Sequence, residues 1–366
     1  MCSSDLLHVP LRQAPHELPV PVASGDQRGA GLAGSGARVS RLAVRIAAGR
    51  ADPGAVQDDA AGRGLLDPGT PATRGAGGAG HTGRIIRSRE RLRSCAVAAE
   101  NLARAVSELA PLLPLLTGLG ERFSAAGHEL ALVGGPVRDA LLGRLSALPD
   151  ADLDFTTDAT PEQVLALLDG YAETTWDVGI RFGTVGARVD GREVEITTYR
   201  AEQYGPESRK PDVVYGASLE DDLGRRDFTI NAMALRLPDQ TFVDLYGGLE
   251  DLAAGLIRTP GTPEQSFSDD PLRMLRAARF SAQLGFEVAD DVVTAMTEQG
   301  ERLSIVSAER VREEFLKIVM SPDPRRGLTL LVDTGLCAQV LPELPLLRLE
   351  ADEHHHHKDV YEHTLT

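Results

Sequence analysis

Apolar residues recur every three or four positions from about residue 97 to 129, at Leu102, Val106, Leu109, Leu113 and Leu116, the stripe of an amphipathic helix. The period then changes. Glu129 to Val133 reads as a strand, Val137 to Leu142 as a short helix, and the Ala-Asp-Leu-Asp-Phe run at 151–155 as a second strand. Pro161 to Leu168 is a helix with Thr160 as its expected N-cap. Ile180 to Val189 and Arg192 to Thr198 form two strands joined at Asp190-Gly191, a strong hairpin signal. The polar, turn-rich stretch from Ala201 to Gly216 reads as a mobile loop. Asp222 to Leu235 reads as a helix and Thr241 to Asp244 as a strand. From about 260 to 345 the pattern is helical, broken at Gly285, Gly300 and Ser321-Pro-Asp-Pro. The expected fold class is therefore α+β: a head with a mixed sheet and helices, followed by an all-helical neck.

Composition changes the picture mainly at the N-terminus. Residues 1–122 contain no Phe, Tyr or Trp, and residues 1–95 carry 13 Arg, no Lys and 8 acidic residues. Rich in Gly, Ala, Arg and Pro, this stretch lacks the apolar surface to order itself, so residues 1–96 are expected to be disordered or non-native. Its opening Met-Cys-Ser-Ser-Asp-Leu resembles the translation of a sequencing adapter, and no apolar segment follows a basic start as in a signal peptide. The whole chain has a formal charge of −16, which argues against a generic nucleic-acid binder and places any such contact on local arginine clusters. Cys2, Cys95 and Cys337, odd in number and far apart, predict neither disulfides nor a zinc site and point to a cytoplasmic setting. No apolar run approaches a membrane span, so no membrane partner is expected.

Three constellations carry candidate chemistry. Asp152 and Asp154, two apart on a strand, share one face and could together hold divalent metal. Upstream, Gly134 and Gly135 would let the backbone approach a triphosphate, and Pro136 suits a helix start whose amides would face phosphate. Glu195 alternates with apolar residues on the later strand, as a possible third carboxylate or as an ordinary exposed strand residue. Arg225 and Arg226, followed by Asp227, could neutralise and orient a triphosphate, or form a solvated patch with Asp227 as a cap. In the stretch 268–280, Asp270 could cap the helix that Pro271 opens. Alternatively, Asp270 and Arg273 could read the amino group and ring acceptors of cytosine or adenine and reject uracil and guanine. Arg276 and Arg279 continue that row at three-residue steps. His354 to His357 and the following Lys-Asp-Val-Tyr-Glu-His look like a metal-binding tract.

Six ordered motifs together carry a resemblance over roughly residues 100–366: Gly134-Gly-Pro-Val-Arg-Asp, Asp152-Leu-Asp, Phe182-Gly-Thr, Glu195-Ile-Thr-Thr-Tyr-Arg, Arg225-Arg-Asp-Phe-Thr-Ile-Asn-Ala and Asp269-Asp-Pro-Leu-Arg-Met-Leu-Arg-Ala-Ala-Arg-Phe. The chain resembles the class II CCA-adding enzymes and bacterial poly(A) polymerases of the DNA polymerase β-like nucleotidyltransferase superfamily. The resemblance implies a nucleotidyltransferase head over 97–258, a base-selecting and RNA-binding neck over 259–345, and the start of an HD or body domain over 346–366. It implies addition of CMP and AMP to tRNA 3′ ends from CTP and ATP, with Mg2+ on Asp152 and Asp154. Gly135, Arg138 and Arg226 would contact phosphates and sugar, and Asp270 and Arg273 would select the base with Arg276 and Arg279 in support. A poly(A), CC-only or A-only enzyme shares these motifs. A non-catalytic RNA-binding relative and an HD phosphohydrolase are further alternatives, the last weakened because the paired His-Asp of that domain is missing here. Oligomeric state is not legible.

Overall fold

The computed structural model describes residues 45–47, 96–147, 152–176, 183–203, 212–215, 218–349, 361 and 364–365. Cys2, Cys95, the His354–His357 tract and nearly all of residues 1–96 lie outside the described residues, as does Phe182.

Helix α1 (96–109) runs through a 3-10 turn at Ala110–Leu112 into α2 (Leu113–Ala125), with Pro111 and Pro114 in the first turns of the last two elements. The expected helix to 129 stops earlier, because Gly127 turns the chain at φ +81°. By length and composition alone, Ala96–Ala125 is long and apolar enough to cross a membrane, which corrects the expectation that no such run exists. In this fold its Leu112, Leu115, Leu116, Leu119 and Phe123 are buried in the core of the head.

Among the described residues the main sheet has eight strands: β1 (Arg45–Ala47), β2 (Leu130–Val133), β3 (Leu153–Thr157), β4 (Thr174–Trp176), β5 (Thr184–Val189), β6 (Arg192–Thr198), β9 (Met233–Leu237) and β10 (Thr241–Asp244). Their order is β1-β10-β9-β2-β3-β6-β5-β4. It is a mixed sheet: β2 is antiparallel to β3 and β9, whereas β3 runs parallel to β6. Thr160 caps α4 (Pro161–Leu168) with a full capping box, and Asp190 and Gly191, at φ +50° and +74°, turn the β5–β6 hairpin.

Two expectations are corrected. The stretch 201–216 is not simply a loop, since β7 (Arg200–Gln203) pairs antiparallel with β8 (Asp212–Tyr215). Nor is 222–235 a helix. It comprises the end of α5 (Leu219–Gly224), a 3-10 turn at Thr229–Asn231 and the start of β9. Phe228 is extended between them at φ −135°, ψ 153°, and β9 pairs on both sides, which outweighs local helix propensity.

Beyond α3 (Gly135–Leu141) and α6 (Gly248–Ala254), the neck comprises α7 (Pro263–Asp269), α8 (Leu272–Leu284), α9 (Asp290–Gln299), α10 (Ala308–Val319) and α11 (Pro324–Asp333). Gly285 ends α8 in the left-handed region, and Gly300 is the C-cap of α9, where the chain passes into a 3-10 turn. A two-stranded parallel pair, β11 (Leu256–Ile257) with β12 (Glu287–Val288), ties the head's end to the neck. The ring of Phe228 from the head meets Phe280 of α8 edge-on, 5.7 Å between centroids.

Candidate nucleotide-binding site

The site starts where β2 ends. Gly134 sits at φ 72°, ψ −133° and is the N-cap of α3. A Cβ there would lie 3.0 Å from Arg226 Nη1 and 3.7 Å from Asp154 Oδ2. Glycine at 134 thus serves two needs: a backbone conformation that side chains resist, and room for a guanidinium crossing toward a carboxylate.

Asp154 is the second residue of β3, and Asp152 lies just before that strand. The parallel register sets Asp154 opposite Glu195 on β6. Burial, helped by the nearby Glu195 and Asp152 carboxylates, pushes the Asp154 carboxyl up to about 6, although Arg226 and Arg138 pull the other way. Glu195 is likewise raised, by burial and by the Asp152 charge. Crowded, partly desolvated carboxylates are an all-oxygen donor set suited to a hard divalent cation. Asp152 and Asp154 could hold one, with Glu195 alongside. No group of three or more such ligands converges among the described residues.

An open cleft of about 950 Å³ lies beside Asp154. Seven of the residues singled out by sequence line it: Asp154, Arg225, Arg226, Asp227, Asp270, Arg273 and Arg276. Head and neck therefore face the same space. Asp222 of α5, 1% exposed, anchors both head arginines, accepting from Arg225 Nη2 at 3.0 Å and Arg226 Nη2 at 3.1 Å. Although burial alone would raise it, these two guanidiniums hold the Asp222 carboxyl below its ordinary range. Arg226 Nε is buried without a hydrogen-bond partner among the described residues.

From the neck, Arg273 donates to Ser266 Oγ at 2.9 Å and to the backbone carbonyl of Arg225 at 2.5 Å, tying the second constellation to the third. Asp270 is the C-cap of α7 and Pro271 the N-cap of α8, which corrects the expected capping role, although Asp270 Oδ1 still accepts from the Leu272 amide at 3.1 Å. Its other oxygen, Oδ2, accepts from Arg310 Nη2 at 3.0 Å.

Other predicted residues are braces. Asp227 is buried, with Oδ1 accepting from the Phe228 amide and Asn231 Nδ2 and Oδ2 from Arg276 Nε at 2.8 Å. Such a carboxylate holds the neck against the head. Arg138 is only 12% exposed, engaged by Asp139, by Asn231 Oδ1 at 2.7 Å and by the Phe280 ring 5.1 Å away. Arg279 lies outside the cleft, stacked 4.4 Å over Phe280 and bonded to Glu314 at 3.2 Å. Burial and the neighbouring Arg276 charge push its guanidinium down to about 10.

Asp222, Asn231, Thr197 and Arg310 belong to this site or its frame but were not singled out from sequence. The signal for Asp222 was its spacing of three and four residues before Arg225 and Arg226. For Arg310 it was a Ser307 cap followed by Arg310 and Glu314, four apart on one helix face.

Residues 130–258 match the family described as the Poly A polymerase head domain, and residues 285–347 the family described as a probable RNA and SrmB-binding site of polymerase A. The chain is 41% identical over 248 residues to a CCA-adding enzyme of Streptococcus gordonii, covering 68% of this chain and 59% of that protein. To one of Lactobacillus helveticus it is 44% identical over 216 residues, 59% of this chain and 52% of the relative. The chain thus spans little more than half the length of these relatives. Among solved structures, it resembles a Bacillus stearothermophilus CCA-adding enzyme in complex with CTP. There the TM-score is 0.54 at 37% identity, covering 63% of this chain and 53% of that one. It also resembles a Thermotoga maritima CCA-adding enzyme complexed with tRNA-CCA, with TM-score 0.53 at 26% identity, covering 68% and 56%.

Proposed function

We propose that this chain, which carries a poly(A) polymerase head domain followed by a helical neck, is an RNA nucleotidyltransferase. It adds CMP and AMP to tRNA 3′ ends from CTP and ATP, in the cytoplasm. One observation carries the reading: Asp154 of β3, crowded by the Asp152 and Glu195 carboxylates, lines a cleft shared with the head arginines and the Asp270–Arg273 pair of the neck. The names of the relatives and the CTP and tRNA complexes of the similar structures support it.

The terminal 3′ hydroxyl attacks the α-phosphorus in line. A phosphorus–oxygen bond forms to the RNA, the bond to the β-phosphate oxygen breaks, and pyrophosphate leaves with that electron pair while the hydroxyl proton passes to solvent. Asp152 and Asp154 would hold divalent metal, which we take to be magnesium and which supplies charge neutralisation and an acidified hydroxyl. Arg225 and Arg226, presented as a pair by Asp222, balance the triphosphate charge. Asp270 and Arg273 face the base: the carboxylate accepts from an exocyclic amino group and the guanidinium donates to the adjoining acceptor, a combination that cytosine and adenine satisfy. We take the head to span 97–258 and the neck 259–345.

The test is Asp154→Asn in the intact protein, nearly isosteric and without the charge. CMP and AMP incorporation should fall to background with CTP still bound and the melting temperature unchanged. Wild-type incorporation by the variant would remove the carboxylates from the reaction.

A further inference from the structure

We propose that Arg310 sets the base preference of the cleft by fixing the Asp270 carboxylate; this rests on the reading above that Asp270 and Arg273 face the incoming base. Arg310 stands in the first turn of α10, on the far wall of the cleft. The two oxygens of Asp270 each meet one fixed donor, the Leu272 amide on Oδ1 and Arg310 on Oδ2. A carboxylate offers about four in-plane acceptor sites, so two remain. With both oxygens held, the plane cannot swivel, and the remaining lone pairs keep one direction. An amino group arriving along it finds an acceptor. The carbonyl of uracil or guanine meets lone pair against lone pair. Without Arg310, only the backbone amide among the described residues holds Asp270, and the free oxygen can turn away.

Arg310 is not a loose surface side chain. Four residues along the same face of α10, Glu314 accepts from Arg279 at 3.2 Å and approaches Arg276 at 4.0 Å. Helix α10 therefore meets the neck through opposed charges at two levels, Arg310 on Asp270 at the α7–α8 junction and Glu314 on the arginines of α8, which fixes where Arg310 stands. At the same time the Arg310–Asp270 pair is well exposed, 54% and 30% on the two side chains. An ion pair so exposed contributes little to stability, so specificity and folding are separable here.

The experiment measures equilibrium affinity of the intact protein for CTP, ATP, UTP and GTP, with thermal melting alongside. Arg310→Ala should weaken CTP and ATP roughly tenfold while UTP and GTP hold steady, collapsing the preference for amino-bearing bases. Arg310→Lys should restore part of it. In an Asp270→Ala background, Arg310→Ala should add nothing, the mark of one residue acting through the other. If Arg310→Ala melts early, Arg310→Met, which keeps the apolar stem and removes every N–H donor, carries the comparison. An unchanged preference overturns the inference, as does an equal loss for all four triphosphates, which would make Arg310 a phosphate contact. A wild-type protein that binds all four alike, or none, fails at the Asp270–Arg273 reading itself and is told apart by needing no variant.

Discussion

Gly134 and Gly191 are both held at positive φ, 72° and 74°, but only Gly134 is crowded. Alanine at either position should cost about 1–3 kcal/mol of stability through backbone strain. At Gly134 the added methyl would also press on Arg226 Nη1, whereas at Gly191 nothing among the described residues lies within 4 Å. We therefore expect both variants to melt lower in a thermal scan, and only Gly134→Ala to lose triphosphate affinity. Equal affinity in the two would show that Arg226 does not depend on the space Gly134 leaves. The glycine pair, the spaced aspartates and the arginine doublet were legible in the sequence, because each is a short motif whose chemistry travels with it. The division of labour among the arginines was not. Arg138 and Arg279 read like Arg225 and Arg226 in a linear sequence, and only the packing of Phe280 beneath them turns them into braces.

At the scale of elements, the junction of head and neck rests on Asp227 and Arg276. Burial would raise the Asp227 carboxyl, but the Arg276 guanidinium, the Asn231 amide and the Phe228 backbone N–H outweigh it and hold it below the ordinary range. A depressed carboxyl contributes stability above its unfolded-state pKa of about 4, and that contribution fades as pH falls toward the folded value. Asp227→Asn should therefore destabilise the protein near neutral pH by roughly 3 kcal/mol, the low end for breaking a buried pair, since Arg276 keeps some solvent. Its stability should also fall less steeply than the wild type's as pH drops below about 5. Denaturant titrations followed through Trp176 would measure both; parallel pH profiles would deny Asp227 this role. Pattern alone mistook the segment around Asp227 for a helix. Its residues favour one locally, but strand pairing of Met233–Leu237 on both edges decides the outcome, and such non-local pairing leaves no local periodicity.

Across the whole molecule, the mixed head and the helical neck were legible because the hydrophobic period shifts from two to between three and four near residue 260. Their meeting at one cleft was not, since it depends on a carbonyl of Arg225 bound by Arg273 and a carboxylate of Asp227 bound by Arg276, each pair 48 or 49 residues apart. That convergence is what lets one chain place a reacting phosphate and a base reader in the same space, and it explains how a chain of net charge −16 can present a cationic wall to a nucleotide. The most direct measurement is incorporation by the intact protein on one tRNA ending just before its CCA, with labelled CTP and ATP supplied separately and together. Two C additions followed by one A, stopping there, is the predicted result. Open-ended addition of A without use of CTP, or no incorporation at all, would contradict it.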